Sequence, residues 1–215
     1  MSFLNQLKSQ ASALKQEQST LQLNLEESTA QTEAACKRAW FYLDDLVKQL
    51  NVIEPEGPRL SLDGKTPWPP MRMRGFRIDA RKKMLRSQEV YDYIGLWWRL
   101  TPAVGNPVAA EVSVNFPPDL QRVETRLALG NIPNERKEIR HPEKNSLLAI
   151  RFQFQTETRG SVNLTADHDK GQIDFRISNA RGFDVVERTL AAHAVTTGML
   201  DELAKLMLGQ PNSFA

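Results

Sequence analysis

Histidine and acidic side chains are the first candidates for metal chemistry in this sequence. The three histidines, at positions 141, 168 and 193, lack the H-x-x-x-H or H-E-x-x-H spacing that puts two imidazoles on one helix face. The segment Asp167-His168-Asp169-Lys170-Gly171 begins like a calcium-binding loop. Ser178 stands where such a loop has its closing carboxylate, so the segment is interpreted as a hairpin turn. We expect no metal site.

The single cysteine is the strongest nucleophile by residue type, but its neighbours do not activate it. Cys36 lies beside Ala35 on the apolar face of a helical pattern, which is typical of a small core residue. The sequence contains no motif for a nucleophilic serine, a phosphate loop or a dinucleotide. We therefore expect no catalytic residue and no cofactor. An acid–base pair stays open, since strands can bring together two of the carboxylates Asp92, Glu111, Glu124 and Asp174.

Basic side chains are concentrated in residues 59–86, where nine of them accompany two acidic residues, a local charge of +7 in a chain of +2. Aromatic residues lie in or near this stretch, and the combination neutralises phosphates and stacks bases. It predicts, as an alternative function, binding of nucleic acid or another polyanion. A solvated hairpin tip and contact with the acidic N-terminal helix are the other interpretations. The proposed polyanion-binding residues are Arg72, Arg74, Arg77, Arg81, Lys82, Lys83 and Arg86.

The most aromatic segment covers residues 91–98. Alternation with a period of two puts Tyr91, Tyr93 and Trp97 on one face of a strand and Trp98 on the other, so both faces are expected to be buried. One interpretation is that a tryptophan packs beneath a helix. The alternative is that Tyr91, Tyr93, Trp97 and Trp98 line a pocket for a ligand or partner between the sheet and the helices.

A long helix is the first element expected to position these residues. No Gly or Pro occurs before Pro55, so residues 1–54 contain no strong helix breaker. From Cys36 onward a wide apolar stripe is typical of a helix on a globular body. The mostly apolar positions in the first half of the helix are spaced alternately by three and four residues, as in a coiled coil. They predict an association seam made of Leu4, Leu7, Leu14, Leu21 and Leu25. Residues 26–33 put Ser and Thr at seam positions. They leave two possibilities, one rod of about 70 to 80 Å or an antiparallel helical hairpin.

The rest of the chain alternates in a strand-like manner after a proline-rich segment. Five prolines in residues 55–70 predict an extended linker. Apolar alternation then predicts seven or eight strands, one of them at 123–129. Segments 148–154, 162–164 and 173–177 are expected to form an antiparallel meander because short turns join them. Apolar residues occupy odd positions before Gly75 (Met71, Met73) and even positions after it (Phe76, Ile78). This change predicts a β-bulge at Gly75. A final helix begins at Thr196 or Thr197 and ends at Gly209.

Length and composition fit one folded body with an appendage. The 215 residues are 40% hydrophobic, which is enough for a core. One cysteine excludes an internal disulfide framework, and no apolar run approaches the ~20 residues of a membrane span, so a cytoplasmic location is expected. The prediction is an α+β protein with three parts. These are an N-terminal helical oligomerisation element (1–54), a Pro-rich linker (55–70), and a curved antiparallel sheet of about seven or eight strands with a C-terminal helix packed on it (71–215).

These features favour a function without catalysis. The sequence predicts an interaction or scaffold protein that associates with itself or another protein through its N-terminal helix. The alternatives are a polyanion-binding module that uses residues 72–86, and a small-molecule binder or enzyme with a pocket between the sheet and the helices. The identity of the partner and the number of subunits stay open.

Overall fold

The N-terminal helix is one unbroken rod. The computed structural model describes residues 3–215, without the side chains of residues 3–6 and 9. Helix α1 spans Phe3–Ile53, about 77 Å at ~1.5 Å per residue, so the helical hairpin is not formed. Thr29 and Thr32 do not break the helix, because their hydroxyls donate hydrogen bonds back to the carbonyls of Leu25 and Ser28 at 2.6 and 2.8 Å.

Eight antiparallel strands form two sheets, which confirms the α+β class. The five-stranded sheet A has the order β1-β2-β6-β7-β8, and the three-stranded sheet B has the order β3-β5-β4. The strands are β1 (Met71–Leu85), β2 (Gln88–Pro102), β3 (Ala109–Val114), β4 (Asn134–Arg140), β5 (Leu147–Gln155), β6 (Thr158–Asp167), β7 (Gln172–Ser178) and β8 (Val185–Ala191). The other elements are helix α2 (Pro117–Leu129), a short 3-10 helix at Ala192–Ala194, and helix α3 (Thr197–Met207).

The strand predicted at 123–129 is wrong, because these residues belong to α2. Val123 and Leu127 are its buried residues. Their spacing of four fits a helix face as well as an alternating strand, so the pattern alone did not separate the two. Pro117 and Pro118 stand at the start of the helix, where a missing backbone N–H costs no hydrogen bond.

The meander is confirmed only in part. Strands β6 and β7 pair, and β8 pairs with β7, but β5 lies in sheet B between β3 and β4. The chain changes sheets after Gln155, where Thr156 still pairs with Val108 beside β3. Thr158 then donates its hydroxyl to the carbonyl of Gly130 at 2.7 Å. These side-chain contacts depend on distant segments, so turn chemistry near residue 157 did not reveal them.

One hydrophobic core joins all of these elements except β4. It includes the second half of α1, both sheets and α3, together with Leu60, Leu62 and Trp68 from the proline-rich segment. The expected bulge is present, since the register of β1 against β2 shifts between Arg74 and Arg77 and Gly75 has a φ of +63°. Within residues 3–215, no helix combines the length and the apolar character that a membrane crossing requires.

Candidate functional site

The first half of α1 extends beyond the body as an overhang, defined here as residues 3–27. Its described side chains are exposed, apart from Leu25, which is half-buried. Leu7, Leu14 and Leu21 of the predicted seam are 45%, 59% and 56% exposed. The side chain of Leu4, the remaining seam residue, lies outside the described part of the chain. The overhang is about 37 Å long at ~1.5 Å per residue, and the described seam leucines occupy about 27 Å of it, from Leu7 to Leu25.

These leucines lie on the same side of α1 as the core-facing residues. Eighteen residues make five turns at about 3.6 residues per turn, so residues that far apart share an angular position. Each described seam leucine has a buried or half-buried residue eighteen positions later. The matches are Leu7 with half-buried Leu25 and then Leu43, Leu14 with Thr32 and then Leu50, and Leu21 with Ala39. The seam is thus a direct continuation of the face by which α1 packs on the sheets.

Two hairpin tips hold α1 at the base of the overhang. The Ser28 hydroxyl donates to the carbonyl of His168, at the turn between β6 and β7, over 2.7 Å. Arg86, at the turn between β1 and β2, donates to the Thr29 hydroxyl oxygen over 2.6 Å and also pairs with Asp169. The hairpin predicted at residues 167–171 is therefore confirmed. The tips stand at residues 28 and 29, where the exposed part of the seam ends.

A buried histidine supports the same junction. His168 is almost fully buried, and its Nε2 lies 2.6 Å from the carbonyl oxygen of Tyr91. A carbonyl only accepts, so Nε2 carries the proton. The backbone N–H of Tyr91 in turn donates to Glu33 of α1 over 2.9 Å. These bonds fix the direction in which the overhang leaves the body.

Acidic side chains accompany most of the predicted polyanion-binding residues. The ion pairs are Arg74–Glu54, Arg81–Asp92, Lys82–Glu89, Lys83–Asp92 and Arg86–Asp169. The hydrogen bond from Lys83, together with that from Arg81, lowers the pKa of Asp92 despite its partial burial.

The two remaining basic residues have different surroundings. Arg72 donates to the carbonyl of Glu54 at 2.9 Å, and Arg77 has no ion pair or side-chain hydrogen bond within the described residues. Local carboxylates therefore offset much of the positive charge of the segment.

The four aromatic residues of the predicted pocket have separate surroundings. Tyr91 stacks on Trp40 of α1 with ring centroids 6.3 Å apart. Trp98 is fully buried against Phe76. The Tyr93 hydroxyl lies 2.5 Å from the side chain of Asn163, and Trp97 is half-buried. None of the four lines the cavity described next.

A cavity that the sequence did not reveal lies beside sheet B. Its volume is about 220 Å³, and Trp68 and β3 form much of its wall. Trp68 stacks on Phe154 of β5 with ring centroids 5.5 Å apart. The tryptophan was visible in the sequence, but its position among prolines indicated a linker and gave no signal for this packing.

Neither a metal-ligand cluster nor an activated thiol is found among the described residues. Among the described residues, no group of three or more His, Cys, Asp and Glu side chains is placed to hold a metal ion. Burial raises the pKa of the Cys36 thiol to about 12, and the nearby charge of Glu33 acts in the same direction. The thiol is therefore protonated at neutral pH and is a weak nucleophile.

No protein-family model matches this chain, and no curated protein or solved structure matches it.

Proposed function

We propose that the protein is a homotypic interaction protein in which the overhangs of two copies pack against each other in antiparallel orientation. One observation carries the proposal, namely that the exposed leucines of the overhang continue the core-facing side of α1. Burial of apolar surface gains about 25 cal/mol per Å², so the exposed row favours a partner helix. Such a dimer holds two folded bodies at opposite ends of a short helical pair and acts as a spacer or scaffold.

Sterics support the antiparallel orientation. From Thr32 to Leu50, sheet A and helix α3 already cover the side of α1 that carries the seam. A parallel partner helix, continuing past residue 28 on this side, would run into the hairpin tips at Arg86 and His168 and then into the sheets. An antiparallel partner leads its own body away beyond the N-terminus of α1. In this arrangement neither helix has to pass the hairpin tips of the other copy, and the two copies make the same contacts, as a two-fold axis requires.

Charge supports a second copy as the occupant. The N-terminal half of the overhang carries Lys8 and Lys15, and the half near the body carries Glu17, Glu26 and Glu27. Antiparallel packing brings the basic half of each copy to the acidic half of the other, whereas parallel packing brings like charges together.

The test compares the full chain with two variants in analytical ultracentrifugation. Leu14→Asp/Leu21→Asp puts two charges into the seam and should convert a dimer into a monomer. Leu23→Asp is the matched control, since Leu23 is 62% exposed and lies two residues from Leu21, on another side of α1. It should leave the dimer intact. Circular dichroism checks that all three chains are folded.

A monomeric full chain, or equal dissociation by Leu23→Asp and the double variant, would exclude the homodimer. If the full chain were monomeric alone but formed a complex with a helix from another protein, the seam would be a binding site for that protein and not for a second copy.

A further inference from the structure

A second surface, far along the chain from the overhang, combines an open strand edge with an apolar cavity. Strand β3 is at the edge of sheet B, with β5 on one side only. The backbone N–H of Thr156 donates to the carbonyl of Val108 at 2.9 Å. Antiparallel pairs alternate between bonded and non-bonded residues. Ala110 and Val112 therefore direct their backbone groups toward β5, and Ala109, Glu111 and Ser113 direct theirs outward.

The outward groups of β3 are available. In the described part of the chain, no backbone or side-chain hydrogen bond from another segment reaches the backbone of Ala109, Glu111 or Ser113. The strand also lacks the charges that usually protect an edge. Its sequence Ala-Ala-Glu-Val-Ser-Val has one charged side chain, whereas the opposite edge strand, β4, has five charged residues among seven.

The cavity opens onto this same edge. Its apolar wall consists of Leu62, Trp68, Val108, Ala110, Val112 and Phe154. Glu111 also lines it, although successive strand residues point to opposite faces. The cavity therefore borders β3 at Glu111, one of the residues whose backbone groups point outward. A strand added beside β3 would place alternate side chains on the same face as Ala110 and Val112, at the mouth of the cavity.

We propose that β3 and this cavity bind an extended peptide segment of a partner protein, which adds a fourth strand to sheet B and inserts one aliphatic or aromatic side chain beside Trp68. The backbone bonds to Ala109, Glu111 and Ser113 supply affinity that is independent of sequence. The cavity selects the apolar side chain, and its volume of about 220 Å³ accommodates a leucine or phenylalanine better than an alanine.

Two carboxylates at the cavity select the charge of the segment. Asp63 accepts hydrogen bonds from Ser61, Lys65 and Thr66. Burial by itself would raise the pKa of Asp63, but these bonds outweigh it and lower that pKa to about 2, so the group is charged at neutral pH. Glu111 is exposed, and its nearest cation, Arg151, is 3.8 Å away. A lysine or arginine next to the apolar side chain is therefore favoured.

The test uses fluorescently labelled octapeptides with lysines flanking one central position that is varied from alanine to valine, leucine and phenylalanine. Binding to the full chain is followed by fluorescence anisotropy. Affinity should rise with the apolar size of the central residue and should fall roughly tenfold, about 1.4 kcal/mol, when the lysines are replaced by glutamates.

Variants of the protein localise the binding. Ser113→Pro removes one outward N–H without touching the pairs with β5 and should weaken binding roughly tenfold. Glu111→Lys should reverse the preference for basic peptides. Glu135→Lys is the matched control, because Glu111 and Glu135 both lie opposite Gln153, on the two sides of β5. It should leave binding unchanged.

A second reagent covers the case in which Ser113→Pro does not fold. Peptides methylated on alternate backbone nitrogens cannot form one ladder of strand hydrogen bonds, and they should bind weakly to the unaltered protein. Equal binding of methylated and unmethylated peptides, equal effects of Glu111→Lys and Glu135→Lys, or no binding by any peptide of the set would each overturn the proposal. None of these binding experiments depends on the overhang, so a negative result would leave the proposed dimer untouched.

Discussion

Arg86 donates a hydrogen bond of 2.6 Å to the hydroxyl oxygen of Thr29, across 57 positions of sequence. The bond joins the tip of the β1–β2 hairpin to the residue of α1 at which the overhang begins. Arg86 and Ser87 form the turn with φ angles of +48° and +62°. Turns of this kind usually contain Asn-Gly, because L-residues with side chains disfavour positive φ. The contacts of Arg86 with Thr29 and Asp169 account for an arginine at this position.

The two residues of this turn should respond differently to replacement by glycine. Ser87 makes no side-chain hydrogen bond within the described residues, so Ser87→Gly relieves backbone strain and should stabilise the fold by about 1 kcal/mol. Arg86→Gly relieves similar strain but removes the bonds to Thr29 and Asp169, and should destabilise it. Urea unfolding measures both. Equal stabilisation by the two variants would show that Arg86 does not hold the helix.

Cross-linking should report the orientation of the paired overhangs. In an antiparallel pair whose seam positions face one another, residue 7 of one copy lies opposite residue 25 of the other, and residue 14 lies opposite residue 18. With Cys36→Ala as the background, a Leu7→Cys chain mixed with a size-tagged Leu25→Cys chain should give a mixed disulfide-linked dimer. Leu14→Cys alone should not cross-link efficiently. A dominant link between two copies at position 14 would indicate parallel packing.

Features that lie within a single helix or strand could be predicted from the local sequence pattern. The absence of Gly and Pro before Pro55 predicted helix for residues 1–54 but left one rod and a helical hairpin open, and the structure has one rod, Phe3–Ile53. Gly75 was correctly placed at a bulge, because a single parity change between Met73 and Phe76 is visible in the sequence. The angular match of Leu14 with Thr32 also follows from spacing, once the helix is known to be unbroken.

Features that depend on distant partners were not predictable in this way. Strand β4 has no buried residue, and only Ile139 is half-buried, so it has no apolar alternation to detect. The assignment of β5 to sheet B depends on its pairing with Val112 and Arg136, which are far away in sequence. The cavity beside Trp68 requires the proline-rich segment to pack on sheet B, and prolines by themselves indicated only an extended chain.

The turn around Asp63 should make stability depend on pH in the acidic range. The folded-state pKa of Asp63, about 2, lies below its ordinary value of 3.8. A depressed pKa contributes stability above the unfolded-state pKa, and this contribution is lost as the pH falls from about 4 toward 2. Asp63→Asn should therefore be less stable than the unaltered chain at neutral pH, and the gap should shrink with acidification. Thermal unfolding across this range measures it.

A charge-removal control separates this effect from a general change in net charge. Glu143 is exposed and has no side-chain hydrogen bond or ion pair within the described residues. Glu143→Gln should leave the unfolding temperature close to that of the unaltered chain. If the Asp63→Asn gap were constant from neutral to acidic pH, the hydrogen bonds to Asp63 would not be its source.

The thiol of Cys36 should react only when the protein unfolds. Cys36 is 2% exposed, and burial together with the charge of Glu33 raises its pKa to about 12, so the reactive thiolate is scarce at neutral pH. Alkylation by iodoacetamide should follow the unfolding transition in urea.

Leu23→Cys supplies an internal reference on the exposed face of the overhang. That variant should take up one label while folded and a second only on unfolding. Rapid labelling of Cys36 in the native chain would mean that α1 opens away from the sheets, and the rigid overhang on which the dimer proposal depends would have to be abandoned.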